Sequence, residues 1–155
     1  MISISNDKQL RSYFDSLDLL QQRSLALIFI NNISYLNSDE RIEKIISEIP
    51  FFANNNEEER LNIYQKIKTI MIKSYTNCGS ETDWKQQAEH FVAAAVVACL
   101  TPEQFISKGK SIVWKTAIQA RMAKNCEMIE KDSAEVDSEA IKQYHLAEEF
   151  SGSAD

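Results

Sequence analysis

Apolar residues recur along this chain every three or four positions, the spacing that gathers side chains on one face of a helix. Leu10, Tyr13, Phe14 and Leu17 form one such set, Leu20, Leu27 and Ile30 a second, Ile42, Ile45, Ile46 and Ile49 a third, and Tyr64, Ile67, Ile70, Met71 and Tyr75 a fourth. Between the sets lie candidate amino-terminal caps, where a side-chain oxygen accepts an orphan backbone N–H and a Glu or Gln three residues on reciprocates. Asn37-Ser-Asp-Glu40, Asn56-Glu-Glu-Glu59 and Thr101-Pro-Glu-Gln104 have this form, and Ser80-Glu-Thr-Asp83 is a variant of it. Thr101 has Pro102 at the first helical position, where a missing N–H costs nothing.

Together the spacing and the caps predict helices over about 7–17, 19–34, 38–49, 57–76 and 81–100. Pro50 closes the third, and Asn77-Cys-Gly-Ser80 reads as a carboxyl-terminal cap and turn. From Pro102 a helix is expected to about Lys131, broken at Gly109 or running through it at a cost of about 1 kcal/mol. A last helix over about 137–150 gives way to a frayed Ser-Gly-Ser-Ala-Asp end. Leu25-Ala-Leu-Ile-Phe-Ile30 and Phe91-Val-Ala-Ala-Ala-Val-Val-Ala-Cys-Leu100 are apolar nearly all round, as in helices enclosed by others. Segments 19–34 and 91–100 are therefore expected at the centre.

The fold class that follows is all-α, a single globular bundle of about six to eight helices. Three glycines and two prolines in 155 residues leave few turn-formers for a hairpin-rich β protein. A chain of this length buries roughly two-thirds of its unfolded surface and needs no disulfide or metal to hold a core. The three cysteines, Cys78, Cys99 and Cys126, are odd in number and widely spaced, which points to a reducing compartment. No run approaches the ~20 apolar residues a bilayer requires, and no signal-like amino terminus is seen, so the expectation is a cytoplasmic chain without membrane attachment.

Charge divides the chain. Residues 125–155 carry nine acids against Lys131 and Lys142, whereas residues 1–124 are nearly balanced within a net charge of −6. The expected organisation is a helical core over 1–132 and an acidic helix and tail over 133–155, docked on the same domain. Just before the acidic segment, Lys108, Lys110, Lys115, Arg121 and Lys124 follow one another with no acid between them. On a helix Lys110, Arg121 and Lys124 fall along one stripe with Ala117, and Trp114, Ile118 and Met122 lie beside it. This strip reads as a solvated face, as a partner for the chain's own acidic segment, or as a grip for an acidic protein or phosphates. The acidic total speaks against nucleic acid.

Catalytic and metal-binding patterns are not legible. Glu89-His90 is merely adjacent, and His145 with Glu148 or Glu149 is the only His–carboxylate pair at helical spacing. His145 reads as solvated and His90 as partly buried and hydrogen-bonded. Gly-x-Ser-x-Gly, phosphate-binding glycine loops and dinucleotide fingerprints do not occur. Cys99 lies in an apolar run, where a thiol behaves as a small hydrophobe. Glu57-Glu-Glu59 opens a helix, where negative charge suits the dipole. Trp84, Tyr64, Tyr75, Phe91 and Trp114 read as core or as the lining of an apolar pocket. Phe51-Phe52 follows Pro50 in a loop and either plugs the end of the bundle or stands exposed as an anchor.

Gln22-Arg-Ser-Leu-Ala-Leu-Ile-Phe29 resembles the start of a helix in the all-α carotenoid-binding domain of cyanobacterial photoprotective proteins, where a Leu-Ala-Leu-Ile run precedes pigment-contacting aromatics. The resemblance covers fewer than ten residues, with Phe29 where that family has tryptophan and Asn32 where it has tyrosine. It implies an apolar-ligand pocket, whose sign would be a closed cavity lined by Phe29, Tyr64, Phe91 or Trp114. The reading that leads is a small regulatory or adaptor-type protein, non-catalytic and without cofactor or metal, acting on another protein, an acidic one among the alternatives, through Phe51-Phe52, the 108–124 strip or the acidic tail. The candidate contact residues are Phe51, Phe52, Lys110, Trp114, Arg121 and Lys124. An enzyme would instead require polar groups converging in a cleft, such as His90 near Cys78, Cys99 or a carboxylate.

Overall fold

The computed structural model describes residues 2–76, 83–131 and 138–153. They form seven α-helices and three short 3₁₀ segments, with no strand among the described residues. The helices are α1 (Asp7–Asp15), α2 (Leu19–Ile33), α3 (Glu40–Glu48), α4 (Glu57–Thr76), α5 (Trp84–Cys99), α6 (Ile112–Glu130) and α7 (Ser138–Ser153). Capping explains where most of them start. Asn6 accepts from the Gln9 N–H, Asp18 and Gln21 form a reciprocal capping box, and Asn56 accepts from the Glu59 N–H at 2.8 Å. α3 starts two residues later than the Asn37 signal suggests, because Asp39 is the cap and Asn37 instead closes a local turn with it. α5 is capped by Asp83. The Asn77–Ser80 turn lies outside the described residues.

The chain departs most from expectation after Leu100. Thr101 does not cap a helix, because its hydroxyl donates back to the Val97 carbonyl at 2.9 Å. The Arg23 guanidinium takes the Cys99 and Thr101 carbonyls, satisfying groups that α5 leaves unpaired at its end. Pro102 is extended, Glu103–Phe105 make one 3₁₀ turn, and Gly109 supplies a left-handed residue at φ +78°. Only then does Ser111 cap α6 by accepting from the Trp114 N–H. At the other end, the expected fraying after residue 150 gives way to helix as far as Ser153. Ser151 is buried there and accepts from the Ile2 N–H at 3.2 Å, while Glu148 accepts from the Ile4 N–H, so the amino-terminal segment runs along α7.

α2, α5 and α6 make the centre. α5 and α6 share the most extensive contact, α2 packs on both, and α4 flanks α5 on another side. α7 packs on α2, α6 and α1, and α3 packs on α4. Leu25, Phe29, Ile30 and Ile33 of α2 and Val92, Ala93, Ala95, Val96 and Cys99 of α5 are inaccessible to solvent. α6 answers with Val113, Ala117, Ala120 and Ala123, equally buried. Alanines on both sides of the seam let the two helices approach closely. Phe14 packs its ring against Phe29 at 6.0 Å and Trp114 at 6.4 Å, filling the space under α1.

The α6 strip read as a solvated face, a partner for the chain's own acidic segment or a grip for another molecule is turned inward at Arg121 and Lys124. Its register puts Ala117 against the core, and Arg121, 17 % exposed, goes with it. Arg121 meets Asp7 through two bonds of 2.8 and 3.0 Å, donates to the buried Gln143 oxygen at 2.8 Å and lies over the Trp114 ring. Lys124 donates to the Tyr35 hydroxyl at 2.6 Å and pairs with Glu127 at 3.1 Å. Lys110 precedes the helix and is not on the stripe. The cations are thus consumed in joining α6 to α1, α7 and the end of α2. Glu139 is buried at the start of α7 beside Asn32, which donates to both its oxygens, and desolvation raises its pKa.

Candidate docking groove

α4 and α6 flank α5 but scarcely touch each other, so one face of α5 is left between them. The second half of α5, Phe91–Cys99, is apolar nearly all round, so the face between the two flanking helices is apolar there, with Ala94 and Ala98 left 9 % and 8 % exposed. Ala94, Val97, Ala98 and Thr101, at spacings of three, one and three, form the floor of a groove of about 490 Å³. Tyr64 and Met71 of α4 make one wall; Trp114, Ile118 and Gln119 of α6 make the other, with Lys115 at its rim. Phe105, from the 3₁₀ turn after α5, closes one end with its ring 6.1 Å from that of Tyr64. It is 56 % exposed.

The groove has depth because the side chains on its floor are small and those on its walls are large. From Ala94 to Ala98 the floor rises about 6 Å along the axis of α5, and Thr101, just past the helix end, extends it. A groove of this shape and composition matches the apolar stripe of an amphipathic helix, held by side chains at i, i+3, i+4 and i+7. Isolated exposed apolar residues carry little meaning, but a contiguous strip rimmed by polar groups is how interaction sites present themselves.

The residues singled out in the sequence are dispersed. Phe52 is a plug, 3 % exposed, with the Arg23 guanidinium over its ring, whereas Phe51 points out and is 63 % exposed. They sit beside a second cleft walled by Leu19, Leu20, Phe52, Leu61 and Pro102, where Arg23 and Arg60 are balanced by Glu57 and Glu103. Lys110 lines a shallow depression with Arg11 and Asp15. Of the six, only Trp114 reaches the groove, and its ring is also stacked between Arg11 and Arg121. The floor alanines and Phe105 carried no sequence signal of their own beyond the apolar run of α5.

Aromatic residues proposed for a closed cavity are arranged differently. Phe29 lies in the filled centre, and Tyr64 and Trp114 border the open groove. The side chain of Tyr75 falls outside the described residues. Polar convergence is likewise limited. The Ser74 hydroxyl lies 2.8 Å from His90 Nδ1 but 2.7 Å from the Met71 carbonyl, its acceptor. Burial lowers the His90 pKa and pushes the Cys99 thiol up to about 12, despite the opposing charge of Arg23. Cys99 lies at the far end of α5 from His90, and Cys78 is outside the described residues. No group of three metal-ligating side chains occurs among the described residues, and no helix there is long and apolar enough to cross a membrane.

Fold and groove together define an all-α bundle with a solvent-open slot between two helices. No family model, curated protein or solved structure matches the chain, and nothing extends the resemblance at Gln22–Phe29.

Proposed function

We propose that this chain is a non-catalytic protein-interaction module, regulatory or adaptor-like, that holds a helical segment of another protein in the groove between α4 and α6. The observation that carries this reading is the groove floored by α5, where Ala94 and Ala98 keep 9 % and 8 % exposure between walls of larger side chains. The second half of α5 is apolar nearly all round, and Ala94, Val97 and Ala98 form the floor of a narrow strip that an incoming helix would cover. Small residues on a floor also let an incoming backbone come close, which favours a helix over a flat surface.

Ala98→Arg tests the assignment, because Ala98 lines the groove floor and a long cationic side chain there would fill the slot. Native mass spectrometry of the tagged protein from its source cells, run for the wild type, Ala98→Arg and Phe51→Ser, gives the readout. The expected result is a stoichiometric protein bound to the wild type and to Phe51→Ser, with affinity for Ala98→Arg lowered roughly 30-fold or more, as for a central contact. Circular dichroism should show Ala98→Arg folded. Loss with Phe51→Ser alone would move the interface to the Phe52 end of the bundle. A small bound mass, or a bare monomer, would overturn the reading.

A further inference from the structure

We infer that the helix received by the groove is acidic, with its carboxylates concentrated at the end lying over Lys115 and Lys68. This rests on the docking function proposed above and concerns the chemistry of the occupant. The groove has a charge polarity that its apolar lining does not require. Lys115 lines the wall, exposed, beside Trp114, and no acid lines the groove. Across from it, Lys68 of α4 is exposed and holds its ammonium 5.7 Å from the centre of the Tyr64 ring.

The placement distinguishes these lysines from the cations further along α6. Arg121 and Lys124 are engaged with Asp7, Gln143, Tyr35 and Glu127, so their charges are already answered within the fold. Lys115 and Lys68 border an apolar strip that excludes water once covered, and charges there are screened less than on an open surface. Further along, the walls are lined by Met71, Ile118 and Gln119, with no cation among them. A partner helix seated over Ala94–Thr101 therefore meets apolar side chains along its middle and positive charge at one end. Carboxylates at that end add to affinity and fix which way the helix lies, the usual contribution of rim charges.

The test is selection from a phage-displayed library of peptides about 16 residues long, built on an alanine-rich helical scaffold with a fixed apolar stripe and randomised residues at both ends. The full-length protein is the target, with Ala98→Arg as counter-selection. Enrichment of Asp and Glu at one end only is expected. For the enriched sequence, Lys68→Glu/Lys115→Glu should weaken binding at least tenfold at low salt, and by much less at high salt, while a neutral version of the peptide changes less than twofold. Groove-dependent peptides with no acidic bias, or with acids at both ends alike, would overturn the charge inference and leave the docking reading standing. A library yielding no peptide whose capture Ala98→Arg abolishes would overturn the docking reading itself.

Discussion

Replacing Phe52 with alanine is expected to destabilise the protein by about 3–5 kcal/mol, the range for removing a buried phenylalanine, while the same change at its neighbour Phe51 stays within about 0.5 kcal/mol. The two rings are adjacent in sequence and opposite in environment, because the 3₁₀ segment Ile49–Asn54 turns one inward and the other out. Phe52 also offers its face to the Arg23 guanidinium, 5.2 Å from the ring centre. That cation closes α5 by holding the Cys99 and Thr101 carbonyls, and burial lowers its pKa. Losing the ring thus opens a cavity and weakens the clasp that ends α5, just where Thr101 and Phe105 bound the groove. Urea unfolding of both variants measures the difference. Midpoints that fall equally would show that the two side chains share the load at this end of the bundle.

The all-α class was legible because its signals are local. Helical spacing and caps such as Asn56–Glu59 act within a turn or two, and α4 spans the residues the pattern predicts. Where expectation failed, a distant residue decided. Thr101-Pro-Glu-Gln104 has the form of a cap, yet Arg23, 78 positions away, takes the Thr101 carbonyl and helps to stop α5 there. Arg121 and Lys124 look like surface charge until Asp7, Tyr35 and Gln143 are brought against them. No rule of spacing within α6 contains that information.

The groove shows the same division. That α5 is apolar all round was readable from Phe91–Leu100, and enclosure was the natural consequence. Which face remains uncovered depends on how many helices flank α5 and how far apart they stand, and the chain supplies α2, α4 and α6 around it. The anchor sought in Phe51-Phe52 and the strip sought at 110–124 are where sequence makes aromatic and charged residues conspicuous. A floor of alanines is conspicuous only once the walls are in place. The polarity of the walls, with Lys68 on one and Lys115 on the other, needs both helices to be seen together.

Arg121→Met is the second change with a large expected effect, because it keeps the stem that lies against Trp114 and removes every hydrogen-bond donor. Gln143 is fully buried, and although its nitrogen still donates to the Ala117 carbonyl at 2.9 Å, its oxygen loses the Arg121 Nε–H. An unpaired buried acceptor and a broken charge-assisted pair together cost about 2–4 kcal/mol. Asp7 is half-exposed and keeps the Tyr144 hydroxyl at 2.8 Å, so its share of the loss is electrostatic and pH-dependent. The Arg121 hydrogen bonds, ahead of the opposing effect of burial, hold the Asp7 carboxyl below its ordinary value near 3.8. A carboxyl depressed in the folded state contributes stability that is fully present above its unfolded pKa and is lost as pH falls through the folded one. The gap between wild type and Arg121→Met should therefore be widest at neutral pH and narrow below about pH 4, leaving the part that belongs to Gln143. Urea unfolding of both proteins at pH 7 and near pH 2.5 measures it. A gap unchanged by pH would mean that Arg121 acts through Gln143 alone and that Asp7 does not help pin α1 to α6.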